Sequence, residues 1–460
     1  MWLVIPVVCT ALTGCHVIPE MQFARTLPLS RSRAPVDIEN ADGMVSRAER
    51  VRVSRKLAAT GDTDLLDYHL AAMRDIGAPP LITGNQVQLL VDGPRTYDAM
   101  FAAIEQARHY VLVESFIFEE ASAGERTLSA LLAQVARRGV RVAVLYDAVG
   151  SLTTDKAFLE TLGDAGIVLC SFNPLNPLDE RFSGINHRDH RKIVVVDGER
   201  AFAGGVNFSQ AYHIASKQAR RRGLSQQKGL QQGWRDTHIA IRGTAARHLE
   251  DLFRATWKGA ECPAEISTPA SAPAVEAGNS LVQIVASSPD DDGNEIYATL
   301  LSVLAYAQSR IDVTMAYFVP DDTLEKALKD AALRGVKVRI ILPSYSDFSG
   351  VFYAGRAHYQ ELLEAGVKLY ELEDAFLHSK SIVVDGVWSS IGSTNFDWRS
   401  FVHNNEISVC VIGEGFAGEM SRMFATDLAD SKEITLAAWK KRGLRERLKE
   451  WLWLPIQYWL

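Results

Sequence analysis

His190-Arg191-Lys192-Ile193-Val194-Val195-Val196-Asp197 returns later in the chain as His378-Ser379-Lys380-Ser381-Ile382-Val383-Val384-Asp385. In both stretches an apolar β-branched run follows the lysine, which predicts a strand. Asp-Gly behind it, at Asp197-Gly198 and Asp385-Gly386, predicts a tight hairpin turn. Side chains alternate faces along a strand, so His190 and Lys192 share one face, as do His378 and Lys380. Each copy therefore sets a proton-transfer group beside a fixed positive charge. The returning strand leads in each case to a glycine-rich end, Gly204-Gly205-Val206-Asn207 and Gly392-Ser393-Thr394-Asn395. Two half-sites of one kind, brought together, would clamp a phosphodiester.

The chemistry needs these residue types. A phosphodiester repels nucleophiles with its own charge, so Lys192 and Lys380 are placed to neutralise the nonbridging oxygens as charge builds in the transition state. One imidazole can attack phosphorus while the other protonates the departing alkoxide, leaving a covalent phosphohistidine. The roles then reverse, and an incoming alcohol or water frees the nucleophile. This scheme calls for no metal and no cofactor, in keeping with a chain that lacks HExxH, paired CxxC, an EF-hand loop and a P-loop. Asn207 and Asn395 are candidates to donate amide hydrogen bonds to the phosphate, and Ser393 a hydroxyl that Gly205 cannot supply. Asp236 and Glu406 follow the motifs and are candidates to orient a histidine through its second N–H. Asp197 and Asp385 complete the motifs, with a turn-forming role at least as well supported as contact with substrate.

The repetition extends beyond the motifs. LLAQVARRGVRVAVLYD (131–147) matches ALKDAALRGVKVRIILP (327–343), and GDAGIVLCSF (163–172) matches LEAGVKLYEL (363–372). Each half reads as amphipathic helix, glycine, then β-branched strand, the alternation of a mostly parallel or mixed sheet flanked by helices. YVLVESFIF (110–118) and IDVTMAYFV (311–319) open the halves. That alignment sets Glu114, a candidate pocket residue, opposite Met315. The expected organisation is an export or lipoprotein signal at 1–15, and a tether with an N-terminal helix at 16–86. An α/β repeat at 87–262, a linker at 263–280 and a second α/β repeat at 281–430 follow, then a basic and aromatic tail at 431–460. The two repeats are expected to pack as one pseudo-twofold unit.

These motifs resemble the phospholipase D superfamily, and most closely its bacterial cardiolipin synthase branch. The resemblance runs from about Leu89 to Asp430 and rests on Asn186-His187-Arg188-Asp189-His190-Arg191-Lys192, Leu377-His378-Ser379-Lys380 and the two glycine-rich ends. It implies two tandem phospholipase D-like repeats, His190 as nucleophile, His378 as acid and base, and Asp197 and Asp385 as supports of the site. It implies a phosphatidyltransferase that passes a phosphatidyl group from phosphatidylglycerol, or from phosphatidylethanolamine, to phosphatidylglycerol, giving cardiolipin. A phospholipase D releasing phosphatidic acid would use the same residues. A metal-independent nuclease and a noncatalytic membrane scaffold are more distant alternatives.

Composition agrees with an enzyme that works on lipid. The 460 residues are 47% hydrophobic, enough for a large core, and the formal net charge of −7 disfavours a nucleic-acid partner. No obligate protein partner is evident. Residues 1–14 are almost wholly apolar and end in Leu12-Thr13-Gly14-Cys15, like a bacterial lipobox whose cysteine would be acylated, although no basic residue precedes the run. Arg25 to Lys56 is arginine-rich and reads as a tether. Arg220-Arg221-Arg222 lies in a loop able to meet lipid phosphates. At the far end, Lys440 to Lys449 carries six cations ahead of Trp451-Leu452-Trp453-Leu454 and Tyr458-Trp459, an order suited to the lipid headgroup region and too short to span. The competing reading packs that tail on the protein. Together these features place the chain at a bacterial membrane, peripheral or lipid-anchored and exported. Cys170 and Cys410 fall in apolar strand patterns and read as buried free thiols.

Overall fold

The computed structural model describes residues 36–58, 63–175, 186–216, 233–263, 266, 276–289, 294–373 and 375–459. Cys15 with its apolar leader, the Arg220-Arg222 run and most of the Ala264–Ser280 linker lie outside them. The chain enters through β1 (Ile38–Asn40), α1 (Arg47–Ala58), α2 (Thr63–Asp75) and β2 (Leu81–Val91). The stretch read as a tether is thus folded from residue 36 onward. Ile38 is fully buried and β1 pairs in parallel with β2, so its isolated apolar residues anchor it without any helical period.

The first repeat then runs α3 (Asp92–Glu105), β3 (Tyr110–Ser115), α4 (Leu128–Arg137), β4 (Arg141–Asp147), α5 (Lys156–Asp164) and β5 (Val168–Phe172). It continues through β6 (Ile193–Val196), β7 (Arg200–Gly204), β8 (Thr237–Arg242) and α6 (Ala245–Gly259). The second opens with β9 (Ser280–Ser287), α7 (Glu295–Tyr306), β10 (Arg310–Met315), α8 (Asp322–Leu333) and β11 (Lys337–Pro343). After α9 (Ser349–Ala357), α10 (Tyr359–Glu364) and β12 (Lys368–Leu372) come β13 (Lys380–Val384), β14 (Trp388–Gly392), β15 (Asn404–Ile412) and α11 (Glu414–Ala429). The tail is β16 (Ser431–Ile434), α12 (Leu436–Lys440) and α13 (Leu444–Trp453).

Local sequence explains the helices. Thr127 caps α4 by accepting from Ala130 N–H, and Asp321 caps α8 by accepting from Thr323 and Leu324. Leu128, Leu131, Leu132 and Val135 then make one buried face of α4, as Leu324, Leu328 and Ala331 do for α8.

The first sheet is ordered β5-β4-β3-β6-β7-β8-β2, and the second β16-β12-β11-β10-β13-β14-β15-β9. Only the three crossover-linked strands of each, β3 to β5 and β10 to β12, run parallel to one another. The motif strands are joined by hairpins, which force antiparallel pairing, so the sheets are mixed with an antiparallel majority. β2 threads both: Gln86–Val91 pairs with β8, while Ile82 and Asn85 pair with β9. The sheets share a core. Ile193, Ala203 and Ile239 from one meet Val383, Ile391, Ile407 and Val409 from the other, with Phe253 of α6 and Met420 of α11 filling between. Separate clusters fix the outer helices, Val113, Leu132 and Phe158 on the first sheet and Val313, Leu328 and Leu362 on the second.

Both predicted hairpins form. Asp197 and Gly198 have φ of 54° and 67°, and Asp385 and Gly386 51° and 72°, so both central residues are left-handed, as the strand twist requires. The Asp197 carboxylate accepts the N–H groups of Arg108, His109 and Tyr110 at 2.8 to 2.9 Å. Asp385 likewise accepts those of Gln308, Ser309 and Arg310 at 2.7 to 2.8 Å. These aspartates tie each motif strand to the start of its neighbour, at the far end from the histidine. The same register corrects the alignment of the opening strands. Ile193 faces Glu114 and Ser381 faces Thr314, so the counterpart of Glu114 is Thr314, not Met315. A one-residue slip between two apolar strands is hard to detect in sequence because only the face changes.

Cys170 is not a free thiol. It forms a disulfide with Cys262, with Cα atoms 5.6 Å apart, tying edge strand β5 to the chain just beyond α6. Cys410 is buried and free. Replacing Cys170 and Cys262 together by serine should cost on the order of 3 kcal/mol of unfolding free energy, read by urea titration, because the bond closes a long loop. Dithiothreitol should lower the wild type by a similar amount and leave the double variant unchanged. Asp385→Ala should cost about 1–3 kcal/mol in the same titration, since it strands backbone donors that the carboxylate now accepts.

Candidate active site

His190 and His378 sit immediately ahead of β6 and β13, where each motif leaves its own sheet and is stitched to the other repeat. Arg188–Asp189 pairs in parallel with Asn404–Asn405, and His190 N–H donates to the Asn405 carbonyl at 3.0 Å. On the other side Trp234–Arg235 pairs with Phe376–Leu377, and His378 N–H donates to the Arg235 carbonyl at 2.9 Å. Backbone bonds thereby hold each histidine beside the opposite repeat.

The opposite repeat answers with a carboxylate. His190 Nδ1 lies 2.9 Å from Glu406 Oε1 and 3.1 Å from Oε2, and His378 Nδ1 lies 2.8 Å from Asp236 Oδ2. Gly204 faces His238 and Gly392 faces Ser408, which makes Asp236 and Glu406 equivalent positions of the two repeats. Burial works against the charge of Glu406, but His190 and Lys192 hold it down to about 2; burial likewise opposes Asp236, which His378 and Lys380 keep below the usual carboxylate range. Both are therefore ionised at neutral pH and accept, so Nδ1 of each imidazole is the N–H and Nε2 carries the lone pair. Burial lowers both histidines to about 4 against the pull of their carboxylates, so in the free protein both imidazoles are neutral.

Lys192 and Lys380 are buried alongside. Each Nζ donates to the carbonyl of the histidine two residues earlier, Lys380 at 2.7 Å. Lys192 Nζ also stands 5.2 Å from the Phe116 ring, which meets the His190 ring edge-on at 5.0 Å. Burial, with smaller opposing pulls from Glu406 and Asp236, brings Lys192 down to about 7 and Lys380 to about 8. Each lysine's charge also bears on the other repeat's histidine, so the four side chains form one site. A buried cation pair next to two lone-pair imidazoles is built to receive an anion.

Of the remaining predicted residues, Ser393 and Asn207 are placed differently from expectation. Ser393 donates to Glu406 Oε2 and accepts from Ile407 N–H, so it steadies the carboxylate instead of reaching phosphate. At Gly205 a Cβ would fall 2.1 Å from Asp236 Oδ1, so glycine is what lets that shorter carboxylate fit. Asn207 is committed too: its Oδ1 accepts from Ile117 N–H, and its Nδ2 donates to Tyr212 Oη, 3.1 Å from His378 Nδ1. Asn395 N–H donates to Ser400 Oγ, and its buried Oδ1 has no protein partner among the described residues. Glu114 is buried on β3, opposite Ile193. It lies behind the first motif with Asp189, where burial pushes its carboxyl well above the ordinary range and Asp189 to about 6.

Several residues of the site were not singled out by sequence. Arg191 donates to the Glu406 carbonyl, Thr256 Oγ1 and the Ser287 carbonyl at 2.8 to 3.0 Å, locking the first motif onto the second repeat. Arg235 forks onto Asp427; burial works against its charge, and the Asp427 and Asp92 carboxylates overcome it. Tyr212, Trp234 and Tyr317 surround the His378 ring, and Trp234 lies 5.1 Å from it. The one available signal for Arg191 was its contrast with Ser379 at the matching position of the second motif.

Comparison with known proteins places the chain. A family model described as cardiolipin synthase, phospholipase D-like domain, matches residues 100–217 and 300–428. A cardiolipin synthase of Geobacillus kaustophilus is 38% identical over 380 residues, covering 82% of this chain and 72% of that protein. Cardiolipin synthase A of Pseudomonas aeruginosa is 37% identical over 368 residues, covering 80% and 71%. Among solved structures, phosphatidylserine synthase of Haemophilus influenzae superposes with a TM-score of 0.60 at 14% identity, covering 85% of this chain and 100% of that one. Polyphosphate kinase of Porphyromonas gingivalis gives 0.50 at 12% identity, over 81% and 53%. At such identities the structural likeness speaks for the fold alone, two phospholipase D-like halves in one unit. With the family model covering more than half of the chain and relatives above a third identical along most of it, the chain belongs to the cardiolipin synthase family of phospholipase D-like proteins.

Proposed function

We propose that this chain is a cardiolipin synthase-type phosphatidyltransferase that uses phosphatidylglycerol both as donor and as acceptor. The observation that carries the reading is the pair of buried histidines, each bound through Nδ1 by the other repeat's carboxylate, with two buried lysines between them. His190 Nε2 attacks the phosphorus of the first phosphatidylglycerol, forming a P–N bond as the P–O bond to glycerol breaks. The bound phosphodiester adds a negative charge beside Asp236, and together they draw a proton onto His378, which passes it to the departing glycerol oxygen. Lys192 and Lys380 balance the charge that builds on the nonbridging oxygens. His378, neutral again, takes the proton of the second phosphatidylglycerol's hydroxyl, whose oxygen displaces His190 and gives cardiolipin. One phosphodiester replaces another, so the exchange runs without a nucleotide. Phosphatidylethanolamine fits the same donor role. Transfer prevails over hydrolysis to the extent that the buried site keeps water from the phosphohistidine.

The enzyme works at a membrane because its substrates reside there. An exported, lipid-anchored position through Cys15 is supported by the Cys170–Cys262 disulfide, a bond that persists in an oxidising compartment. Among the described residues no helix is long and apolar enough to cross a membrane.

Incubation of the purified full-length protein with phosphatidylglycerol vesicles in EDTA should yield cardiolipin and glycerol. His190→Ala should abolish both products and the covalent phosphoenzyme. Phosphatidic acid as the main product would instead make the chain a hydrolase, and trapping of phosphate on His378 would exchange the two histidine roles. Glu406→Gln should slow phosphoenzyme formation by roughly 10- to 100-fold, the usual cost of losing an orienting carboxylate.

The lysines set the pH response. Their buried pKa values lie below the ordinary 10.5, so positive charge is present below about 7 for Lys192 and about 8 for Lys380 and is lost as pH rises through those values. For the free enzyme, kcat/KM should therefore decline from about pH 7 upward. Bound phosphodiester favours the charged lysines, so the decline in kcat should lie at higher pH. Coincident limbs in kcat and kcat/KM would remove the lysines as its cause.

A further inference from the structure

Apolar side chains are exposed at three places whose segments contact Phe116 or Tyr317, the rings against His190 and His378. Leu152 is 69% exposed and Phe348 45%, and each is the fifth residue beyond the end of a parallel strand, β4 at Asp147 and β11 at Pro343. They are corresponding positions of the two repeats. Each loop is built onto the ring that lines its histidine. A Cβ on Gly150 would lie 2.2 Å from the carbonyl oxygen of Phe116, whose ring meets His190. Asp347, just before Phe348, accepts from Tyr317 Oη at 2.7 Å, and the Tyr317 ring meets His378 edge-on.

The third place is helix α13. Its residues Glu446, Lys449, Glu450 and Trp453 turn toward the protein. Trp453 packs with Tyr317 on Val319, Val351 and Ala354, Lys449 Nζ donates to Tyr353 Oη at 2.7 Å, and Arg442 pairs with the buried Glu450. Leu444, Leu448, Trp451 and Leu452, at helical spacing on the opposite side, are 81%, 55%, 68% and 57% exposed. The tail therefore divides between both readings of its sequence, one face packed and one face open. Lys441, Arg445 and Arg447 are exposed along the same segment.

We propose that Leu152, Phe348 and the Leu444-Leu448-Trp451-Leu452 stripe form one docking face that seats the mouth of the site on an anionic phospholipid bilayer. The inference rests on the reading of the chain as a phospholipid transferase. Exposed leucines and rings with cations beside them on the tail have the chemistry of an interfacial helix: rings and leucines among the acyl chains, cations on the phosphates. The whole chain is net negative at −7, so attraction to an anionic surface has to be local, and the basic tail supplies it. The placement also solves a delivery problem. A phosphatidylglycerol whose headgroup rises to the histidines from a docked bilayer keeps its acyl chains in lipid throughout.

The test pairs binding with turnover. Full-length protein, Leu152→Asp/Phe348→Asp and Leu448→Asp/Trp451→Asp are sedimented with vesicles of phosphatidylglycerol and phosphatidylcholine in equal parts. Each is also assayed on those vesicles and on dispersed short-chain phosphatidylglycerol. The face predicts that each double variant loses about tenfold or more in vesicle affinity, and a similar factor in kcat/KM on vesicles, from the apolar area withheld from lipid. On the dispersed substrate it predicts rates equal to wild type. Vesicle affinity unchanged in both variants would overturn the proposal. So would an equal loss on dispersed substrate, which would place these residues in the site itself. A dimer seen by sedimentation equilibrium in the wild type and lost in the variants would assign the face to a second copy, again overturning it. Because binding is read separately, a wild type that binds vesicles through this face yet turns over no phosphatidylglycerol would refute the transferase reading and leave the docking face standing.

Discussion

The hydrogen bond between each catalytic imidazole and a carboxylate of the other repeat is the constraint on which the rest of the structure depends. His190 with Glu406, and His378 with Asp236, cannot form within a half. The two sheets must therefore present their motif ends to one another, and much of the interior serves that end. β2 runs through both sheets, the short pairs Arg188–Asp189 with Asn404–Asn405 and Trp234–Arg235 with Phe376–Leu377 cross the boundary, and Arg191 donates through Nε and one terminal nitrogen to carbonyls of the second repeat. A gap of an ångström between the halves would break both bonds at once.

That arrangement concentrates charge where solvent is scarce. Two lysines and two ionised carboxylates lie buried together, and each would be costly alone. They are tolerable because opposite charges alternate around the site and the carboxylates have further donors: Ser393 Oγ for Glu406, and Thr237 N–H at 2.7 Å for Asp236. Burial outweighs the carboxylates at the two lysines, which is why their charge is weakly held in the free protein. An arriving phosphodiester relieves them. The same preference for an anion that makes the free site marginal gives substrate and transition state their electrostatic stabilisation.

Much of this was legible in sequence because it rests on local rules. Period-two alternation put His190 with Lys192 and His378 with Lys380, and Asp-Gly after β-branched runs fixed the hairpins that hold them. Family membership followed from the motifs. What depends on tertiary register was not legible. Glu114 was set opposite Met315 by an alignment one residue out of step, and its true counterpart, Thr314, appears only when strands are paired. The Cys170–Cys262 bond joins an edge strand to the residues beyond a distant helix, and no spacing rule brings those positions together. Asn207 and Ser393 were read as phosphate donors because their amide and hydroxyl suit an anion, yet both groups are bound to protein. The tail could not be resolved because its helix is amphipathic in two senses, with Trp453 facing inward and Trp451 outward, two positions apart.

The near-symmetry of the site breaks at one point, and that point bears on the division of labour. Asp236 reaches His378 from beside Gly205, the same Nδ1 lies 3.1 Å from Tyr212 Oη, and Nε2 lies 3.0 Å from Lys380 Nζ, so this imidazole has Asp236, Tyr212 and Lys380 as polar neighbours and the rings of Tyr212, Trp234 and Tyr317 around it. Glu406 is longer by a methylene, brackets His190 Nδ1 with both oxygens and is itself fixed by Ser393. An imidazole held by both oxygens of a fixed carboxylate has little freedom to swing, which suits a nucleophile whose Nε2 must meet phosphorus in line. His378, with a carboxylate and a tyrosine at Nδ1 and the Lys380 ammonium at Nε2, sits in the richer set of hydrogen-bonding groups. Substituting Ser for Gly at 205 could not make the halves equal, because the added Cβ would displace Asp236. The difference between the two half-sites is thus built into their backbones, and it is the asymmetry on which the proposed division of roles, His190 holding the phosphatidyl group and His378 moving the proton, would draw.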